Sequence, residues 1–88
     1  MERTVTVVPE DGLHARPAAN FVEAAGEYES EITIAPADGD GVNAQSMLAV
    51  TSLGVAAGDD VVLTAEGADA EAALDALEAI LTTPEDSA

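Results

Sequence analysis

The period of the hydrophobic pattern changes within one short stretch, and this change constrains the fold more than any other feature. Across residues 4–8, apolar and polar side chains alternate among β-branched residues, which predicts a strand. Across residues 18–25, apolar side chains recur at intervals of three and four, which predicts one face of a helix. Pro17 is tolerated only in the first turn of a helix, so the helix is predicted to begin near Ala15 or Arg16.

The connection between this strand and helix carries His14, the only histidine of the chain, and Arg16, one of its two basic residues. The first turn of a helix has backbone N–H groups without intrahelical acceptors, and the helix dipole adds partial positive charge there. Such a place binds anions such as phosphate, and a neutral imidazole nitrogen is a good nucleophile. We therefore interpret His14 as a phosphoryl acceptor. The Arg16 guanidinium and the backbone N–H groups of Ala15 and Arg16 are the candidate phosphate ligands.

The structural alternatives to this interpretation are a cap histidine without a chemical role and a surface ion pair of Arg16 with one of the many acids. A lone histidine without context favours the first alternative. His14, however, lies in a window of residues 13–22 that contains no acidic side chain. A second window, residues 41–58, contains no charged side chain at all. The hypothesis is that a phosphate-handling face is kept free of carboxylates, and the alternative is chance together with burial.

The remaining patterns complete the order β-α-β-β-α-β-α in a single domain of residues 1–88. They predict strands at residues 31–36, 42–44 and 61–66, a short helix at residues 47–53 with Ser46 as its N-cap, and a last helix that Asp69 caps. Residues 84–88 are predicted to form a frayed acidic tail. One sheet with helices on a single face gives every apolar face a partner layer, which predicts the α+β class.

The charge balance excludes several classes of partner. The chain has 18 acidic and 2 basic residues and a formal net charge of -16. The protein is therefore not expected to bind nucleic acids or anionic membranes, because binding to either depends on lysine and arginine side chains of the protein. The 48% hydrophobic content argues against disorder. We hypothesise adaptation to molar salt, where the Debye length is about 3 Å and surface carboxylates hardly repel one another.

The absence of cysteine excludes disulfides and thiolate metal sites and fits a reducing cytosol. With a single histidine as well, no metal site and no cofactor are expected. The first residues do not resemble a signal peptide, and no stretch reaches the roughly 20 apolar residues of a membrane span. The sequence thus predicts a cytoplasmic protein.

Two segments carry a family resemblance. Residues 12–22, GLHARPAANFV, resemble the active-site segment of HPr, the histidine-containing phosphocarrier of the phosphoenolpyruvate-dependent sugar phosphotransferase system. Residues 45–54, QSMLAVTSLG, resemble the regulatory-serine segment of the same family. The two motifs lie at the expected separation, and the resemblance covers roughly residues 4–81.

The resemblance implies a fold and a function. The fold is an open-faced sandwich, a four-stranded antiparallel sheet with three helices on one face. The function is that of a phosphoryl carrier and not of a stand-alone enzyme. His14 would accept the phosphoryl group through Nδ1 from phosphorylated Enzyme I. It would pass the group to IIA-type domains of sugar transporters or to a dihydroxyacetone kinase phosphotransfer subunit.

Three further expectations accompany the resemblance, and each has an alternative. Ser46 is a candidate for regulatory phosphorylation, although its spacing favours a helix cap. Met47, Leu48 and Thr51 are candidates for an exposed patch that docks partners, with core packing as the alternative. The protein is expected to be a monomer. The rival functions are an HPr-like regulatory module and an unrelated α/β module that binds a small ligand or a metal.

Overall fold

The computed structural model describes residues 1–10, 12–13 and 15–83, and within them the chain forms four strands and three helices in the predicted order. These elements are β1 (Glu2–Thr6), α1 (Ala15–Ala25), β2 (Glu31–Pro36), β3 (Val42–Asn43), α2 (Met47–Thr51), β4 (Asp60–Glu66) and α3 (Ala70–Leu81). Helix α1 begins where the position of Pro17 predicts. His14 and the predicted tail at residues 84–88 lie outside the described residues.

The strands of the described residues form one antiparallel sheet in the order β1-β4-β2-β3. Strand β4 lies between its neighbours, and it pairs Val61 with Val5 of β1 and Leu63 with Ile34 of β2. Alternate side chains of these strands are buried, so one face of the sheet packs on the helices and the other face is open. The predicted class and the open-faced arrangement are confirmed.

The core lies between the buried face of the sheet and the apolar faces of α1 and α3. Phe21 of α1 and Leu77 of α3 are fully buried in one cluster with Ile34 and Leu63 of the sheet. Burial of each such side chain contributes about 1.5–3 kcal/mol. This cluster holds α1 in place, and with it the first turn of α1 that carries the candidate site.

Strand β1 begins and ends two residues earlier than its alternation predicts. The N–H group of Val7 donates to the carbonyl of Asp59 at 2.9 Å, and that of Val8 donates to the carbonyl of Leu81 at 2.8 Å. The N–H groups of Val7 and Val8 therefore bond to a loop and to the end of α3 instead of to a neighbouring strand. Hydrophobic alternation reports the environment of side chains and not the partner of each backbone group, so it could not reveal this boundary.

Asp69 occupies the predicted N-cap position of the last helix, and its carbonyl accepts the N–H group of Ala73 at 2.9 Å, but the side-chain cap does not form. Asp69 directly precedes α3, but its side chain makes no capping hydrogen bond to that helix. The carboxylate instead accepts the N–H groups of Glu29 at 2.9 Å and of Ser30 at 3.0 Å, together with the Ser30 hydroxyl. Donors 39 and 40 residues away therefore capture the carboxylate and tie the segment after α1 to the start of α3.

Two carboxylates lie directly opposite each other on the open face of the sheet. Glu31 of β2 pairs with Glu66 of β4, and both side chains are exposed. Like charges at such positions destabilise a sheet by a few tenths of a kcal/mol. We expect Glu66→Gln to raise the free energy of unfolding in about 0.1 M salt and to have little effect in about 1 M salt, where the Debye length is about 3 Å. Urea unfolding at the two salt concentrations measures both values.

Glu2→Gln is the matched control for this change. Glu2 is also exposed at the open face, but its partner in the register is Thr64. The control should therefore gain less stability in dilute salt than Glu66→Gln does. Equal gains would show that the effect comes from net charge and not from the Glu31–Glu66 pair.

Candidate functional site

The backbone that leads into α1 is packed tightly against the segment after α2. Leu13 is fully buried, and its N–H group donates to the carbonyl of Val55 at 3.1 Å. Gly12 has a φ of 68°, and a Cβ at that position would lie 2.2 Å from the Val55 carbonyl oxygen. The N–H group of Gly12 donates to the carbonyl of Pro9 at 2.9 Å. Residues 12 and 13 are therefore held directly against the backbone of residue 55.

The predicted phosphoryl acceptor, His14, lies outside the described residues, but both of its chain neighbours are described. Leu13 precedes it in the buried turn, and Ala15 begins α1. The backbone N–H groups of a first helical turn have no intrahelical acceptors. Pro17 has no backbone N–H group, so it cannot be a donor there. The N–H groups of Ala15 and Arg16, the phosphate ligands that the sequence predicts, belong to this first turn.

The two arginines of the chain have different environments. Nη1 of Arg3 lies 2.6 Å from Oδ1 of Asp75 and 2.9 Å from Oε1 of Glu78, both on α3. The hydrogen bond to Asp75, followed by that to Glu78, raises the pKa of the Arg3 guanidinium against the opposing effect of desolvation. Arg16, in contrast, is exposed in the first turn of α1, and no carboxylate of the described residues lies within ion-pair distance of it. Within the described residues, the surface ion pair considered for Arg16 is thus found at Arg3 instead.

The structure brings the two carboxylate-free windows together. At one end, Nε2 of Gln45 donates to the carbonyl of Ala25, the last residue of α1, at 3.0 Å. At the other end, the Leu13 N–H group donates to the carbonyl of Val55, just after α2. The segment that contains α2 therefore runs antiparallel to α1 and lies beside it. The first turn of α1, which contains Arg16, therefore lies beside residues 41–58, which contain no charged side chain.

Ser46 caps α2, as its spacing predicts. Its hydroxyl accepts the N–H group of Ala49 at 3.2 Å, and its carbonyl accepts that of Val50 at 2.9 Å. The side chain of Ser46 is half-buried at this helix start. Ser46 therefore has the structural role of an N-cap. Phosphorylation of Ser46 would modify the same hydroxyl that caps α2.

Removing this cap gives a measurable loss of stability. We expect Ser46→Ala to lower the free energy of unfolding by about 1 kcal/mol and Ser46→Asn to restore most of it, since asparagine is an equally good N-cap. Ser52→Ala is the control, because the Ser52 hydroxyl only adds a hydrogen bond to the Ala49 carbonyl at the exposed end of the same helix. Chemical denaturation of the three variants tests the prediction, and equal losses for Ser46→Ala and Ser52→Ala would contradict it.

The candidate docking residues are exposed to different degrees. Met47 is 41% and Leu48 is 81% exposed, whereas Val50 on the other side of α2 is fully buried. Thr51 is half-buried, and its hydroxyl donates to the Met47 carbonyl at 2.9 Å. Core packing is therefore excluded for Met47 and Leu48. Thr51 belongs to the patch only in part, because its hydroxyl is turned back onto its own helix.

Sequence reasoning missed two residues that shape this region. Gln45 bridges α2 to the end of α1, and its amide gives no sequence signal for a partner 20 residues away. The Asp59 carboxylate accepts the N–H group of Ala56 at 3.0 Å, and the Asp59 carbonyl accepts that of Val7. Asp59 thereby fixes the loop on which Leu13 packs. Its place in a Gly-Asp-Asp turn was the available signal.

Among the described residues, no helix is both long and apolar enough to span a membrane. The same residues contain no group of three or more histidine, cysteine, aspartate or glutamate side chains that could hold a metal ion. The described residues provide an exposed guanidinium and first-turn backbone N–H groups without intrahelical acceptors, beside a segment that has no charged side chain. Chemically, such a site can hold an anionic group at the entrance of α1.

Known proteins share this sequence and this architecture. Residues 1–83 match the family described as "PTS HPr component phosphorylation site". The chain is 65% identical over 86 residues to the phosphocarrier protein HPr of Haloferax volcanii, covering 97% of both chains. It is 53% identical over 76 residues to the phosphocarrier protein HPr of Streptomyces coelicolor, covering 86% of this chain and 82% of that one. The crystal structure of HPr from Bacillus anthracis superposes with a TM-score of 0.88 at 42% identity, covering 92% of this chain and 95% of that one.

Proposed function

Because the chain belongs to the HPr family, the phosphocarrier proteins of the phosphotransferase system, we propose that His14 is the residue that carries the phosphoryl group. One observation carries this proposal: α1 begins at Ala15, immediately after His14, with Arg16 exposed in its first turn. A phosphoryl group on residue 14 would meet the free N–H groups and the positive end of the helix dipole.

The proposed reaction transfers one phosphoryl group between two imidazoles. A neutral ring nitrogen of His14 attacks the phosphorus, a new P–N bond forms, and the P–N bond of the donor's phosphohistidine breaks with its electron pair returning to the donor ring. The Arg16 guanidinium and the N–H groups of Ala15 and Arg16 stabilise the charge on the phosphoryl oxygens during transfer. The second transfer reverses these roles toward the acceptor, so the protein is a substrate of both steps and needs no cofactor.

The proposed partners are phosphorylated Enzyme I as donor and a IIA-type domain or a dihydroxyacetone kinase phosphotransfer subunit as acceptor. The uncharged surface beside α1 and the exposed Met47 and Leu48 support docking of such proteins, since an apolar patch without carboxylates suits transient binding. We propose a cytoplasmic monomer in this role. For Ser46 we propose the structural role of helix cap, because its hydroxyl is engaged by Ala49.

Phosphorylation in vitro tests the proposed acceptor. The protein is incubated with Enzyme I, labelled phosphoenolpyruvate and Mg²⁺, and the expected product is an acid-labile, base-stable phosphoprotein. His14→Ala should take up no label while its circular dichroism spectrum matches that of the original chain. Label that persists in His14→Ala would reject His14 as the acceptor. Label that no IIA domain can remove would favour the regulatory alternative.

The two arginines provide a matched pair for the second role. Arg16→Met should slow phosphoryl transfer about a hundredfold, as the loss of a donor to a developing oxyanion does in enzymes. Arg3→Met removes the same charge but disrupts only the ion pairs with Asp75 and Glu78. Its transfer rate should stay near that of the unmodified chain, and stopped-flow or quench measurements compare the two. Equal effects would assign the loss to net charge.

A further inference from the structure

The protein has only two side chains that peroxides oxidise readily. It contains no cysteine and no tryptophan, so its sulfur atoms are the thioethers of Met1 and Met47. A peroxide converts such a thioether to a sulfoxide, which turns a flexible apolar side chain into a polar one. Met1 is 58% and Met47 is 41% exposed, so solvent reaches both. Oxidation of this chain is therefore restricted to two positions.

The two methionines lie at different edges of the fold. Met1 extends the ladder of β1, because its ammonium group donates to the carbonyl of Ala65 at 3.0 Å and its carbonyl accepts the Ala65 N–H group at 2.8 Å. Met47 is the first residue of α2, which packs against α1 and β3. Strands β1 and β3 form opposite edges of the sheet. Met1 therefore serves as an internal reference for oxidation away from α2.

The side chain of Met47 can change its polarity while the hydrogen bonds of α2 stay in place. The backbone at the start of this helix is held by other side chains: the Ser46 hydroxyl caps it, and the Thr51 hydroxyl donates to the Met47 carbonyl at 2.9 Å. The thioether adds apolar surface next to Leu48, which is itself exposed. A sulfoxide at residue 47 would therefore put a strong hydrogen-bond acceptor into an uncharged apolar patch. A partner that covers this oxygen with apolar surface then loses binding free energy, because a buried acceptor without a donor is costly.

We propose that Met47 is an oxidation switch: conversion of its thioether to the sulfoxide by a peroxide weakens docking of the phosphoryl donor. A lone pair of the sulfur attacks one peroxide oxygen, an S–O bond forms and the O–O bond breaks. With hydrogen peroxide, the second oxygen leaves as water after taking the proton of the first, and the sulfur gives up two electrons. Methionine sulfoxide reductases reverse the oxidation. The inference rests on the proposed function, because it requires α2 to be part of the docking surface.

Phosphorylation by Enzyme I before and after hydrogen peroxide treatment tests the switch. The peroxide is removed before the assay, mass spectrometry of peptides locates the added oxygen, and circular dichroism checks that the oxidised chain is folded. We expect oxidation at Met47 to raise the KM of the chain as a substrate of Enzyme I about fivefold. The kcat should change less than about twofold, since the proposed transfer residues His14 and Arg16 are not modified. Treatment with methionine sulfoxide reductase should restore the original KM.

Two variants at residue 47 form a matched pair. Met47→Leu keeps an apolar side chain and leaves Met1 as the only thioether, so its KM should be the same before and after peroxide treatment. Met47→Gln carries a polar side chain of similar size and should show the raised KM without any peroxide. Resistance of Met47 to peroxide, an unchanged KM after its oxidation, an equal rise in Met47→Leu or unfolding on oxidation would overturn the inference. Absence of any phosphorylation of the untreated chain would instead overturn the proposed function.

Discussion

Replacing Gly12 with alanine is expected to destabilise the protein by about 3 kcal/mol, because two costs combine. Gly12 has a φ of 68°, a conformation that costs alanine about 1 kcal/mol or more. The new Cβ would lie 2.2 Å from the carbonyl oxygen of Val55 and 2.7 Å from Cα of Ala56. Both atoms belong to the backbone, so the turn must move. The hydrogen bond from Leu13 to Val55 and the burial of Leu13 would both suffer.

Gly54→Ala separates the two costs. Gly54 has a φ of 69°, almost the same as that of Gly12, but a Cβ at this position would find no atom within 4 Å. The control should therefore lose only the conformational part, about 1 kcal/mol. Urea unfolding compares the two variants. Equal losses would show that Gly12 is needed only for its backbone conformation and not for its contact with residue 55.

The same change should also impair phosphoryl transfer. Residue 12 and the buried Leu13 set the position of the chain two residues before α1. A shift of the turn would displace the proposed phosphoryl acceptor, His14, from its proposed partners, Arg16 and the first N–H groups of α1. We expect Gly12→Ala to be phosphorylated more slowly than Gly54→Ala at a temperature where both are folded. Measuring the rate by Enzyme I-dependent labelling, beside circular dichroism, decides this.

Replacing Asp69 with alanine is expected to cost more stability than Ser46→Ala does. The Asp69 carboxylate serves three donors on Glu29 and Ser30, whereas the Ser46 hydroxyl serves one. Ser30 is only 2% exposed, so water cannot replace the lost acceptor for its hydroxyl. The loss would also release the start of α3 from the segment after α1. Thermal unfolding of both variants gives the comparison, and a smaller loss at Asp69 would contradict it.

The Asp69 link also has a defined pH dependence. The hydrogen bond from the Ser30 hydroxyl, followed by that from the Glu29 N–H group, lowers the pKa of Asp69 below its ordinary value of 3.8. A carboxyl group whose pKa is lower in the folded protein stabilises it fully above that ordinary value and loses this contribution as the pH falls through the folded-state pKa. The stability difference between the unmodified chain and Asp69→Asn should therefore shrink on acidification below about pH 4.

Asp69→Asn is the informative variant here because asparagine has the same shape but does not titrate in this range. Taking the difference between the two chains removes the contributions of the other carboxylates, which titrate in both. Unfolding midpoints between pH 2 and pH 6 provide the measurement. A difference that stays constant over this range would show that the charge of Asp69 does not contribute.

Local patterns were sufficient for the order of elements and for the start of α1. Periodicity reports which side chains face a core, and Pro17 restricts the helix start through its own ring, so neither needs a distant partner. The sequence also indicates Ser46 as a cap, because its hydroxyl accepts an N–H group only three residues away. The two motifs supplied the candidate site residues, although His14 lies outside the described residues.

The sequence could not assign polar groups whose partners are distant along the chain. Asp69 has the local signature of a cap, yet Ser30 and Glu29 capture its carboxylate, and Gln45 reaches Ala25. The exposure of Leu48 and the contact of Gly12 with Val55 likewise depend on how α2 lies beside α1. Helices, turns and caps follow from neighbours in sequence, whereas the partner of a carboxylate or an amide is decided by which segments the packed core brings into contact.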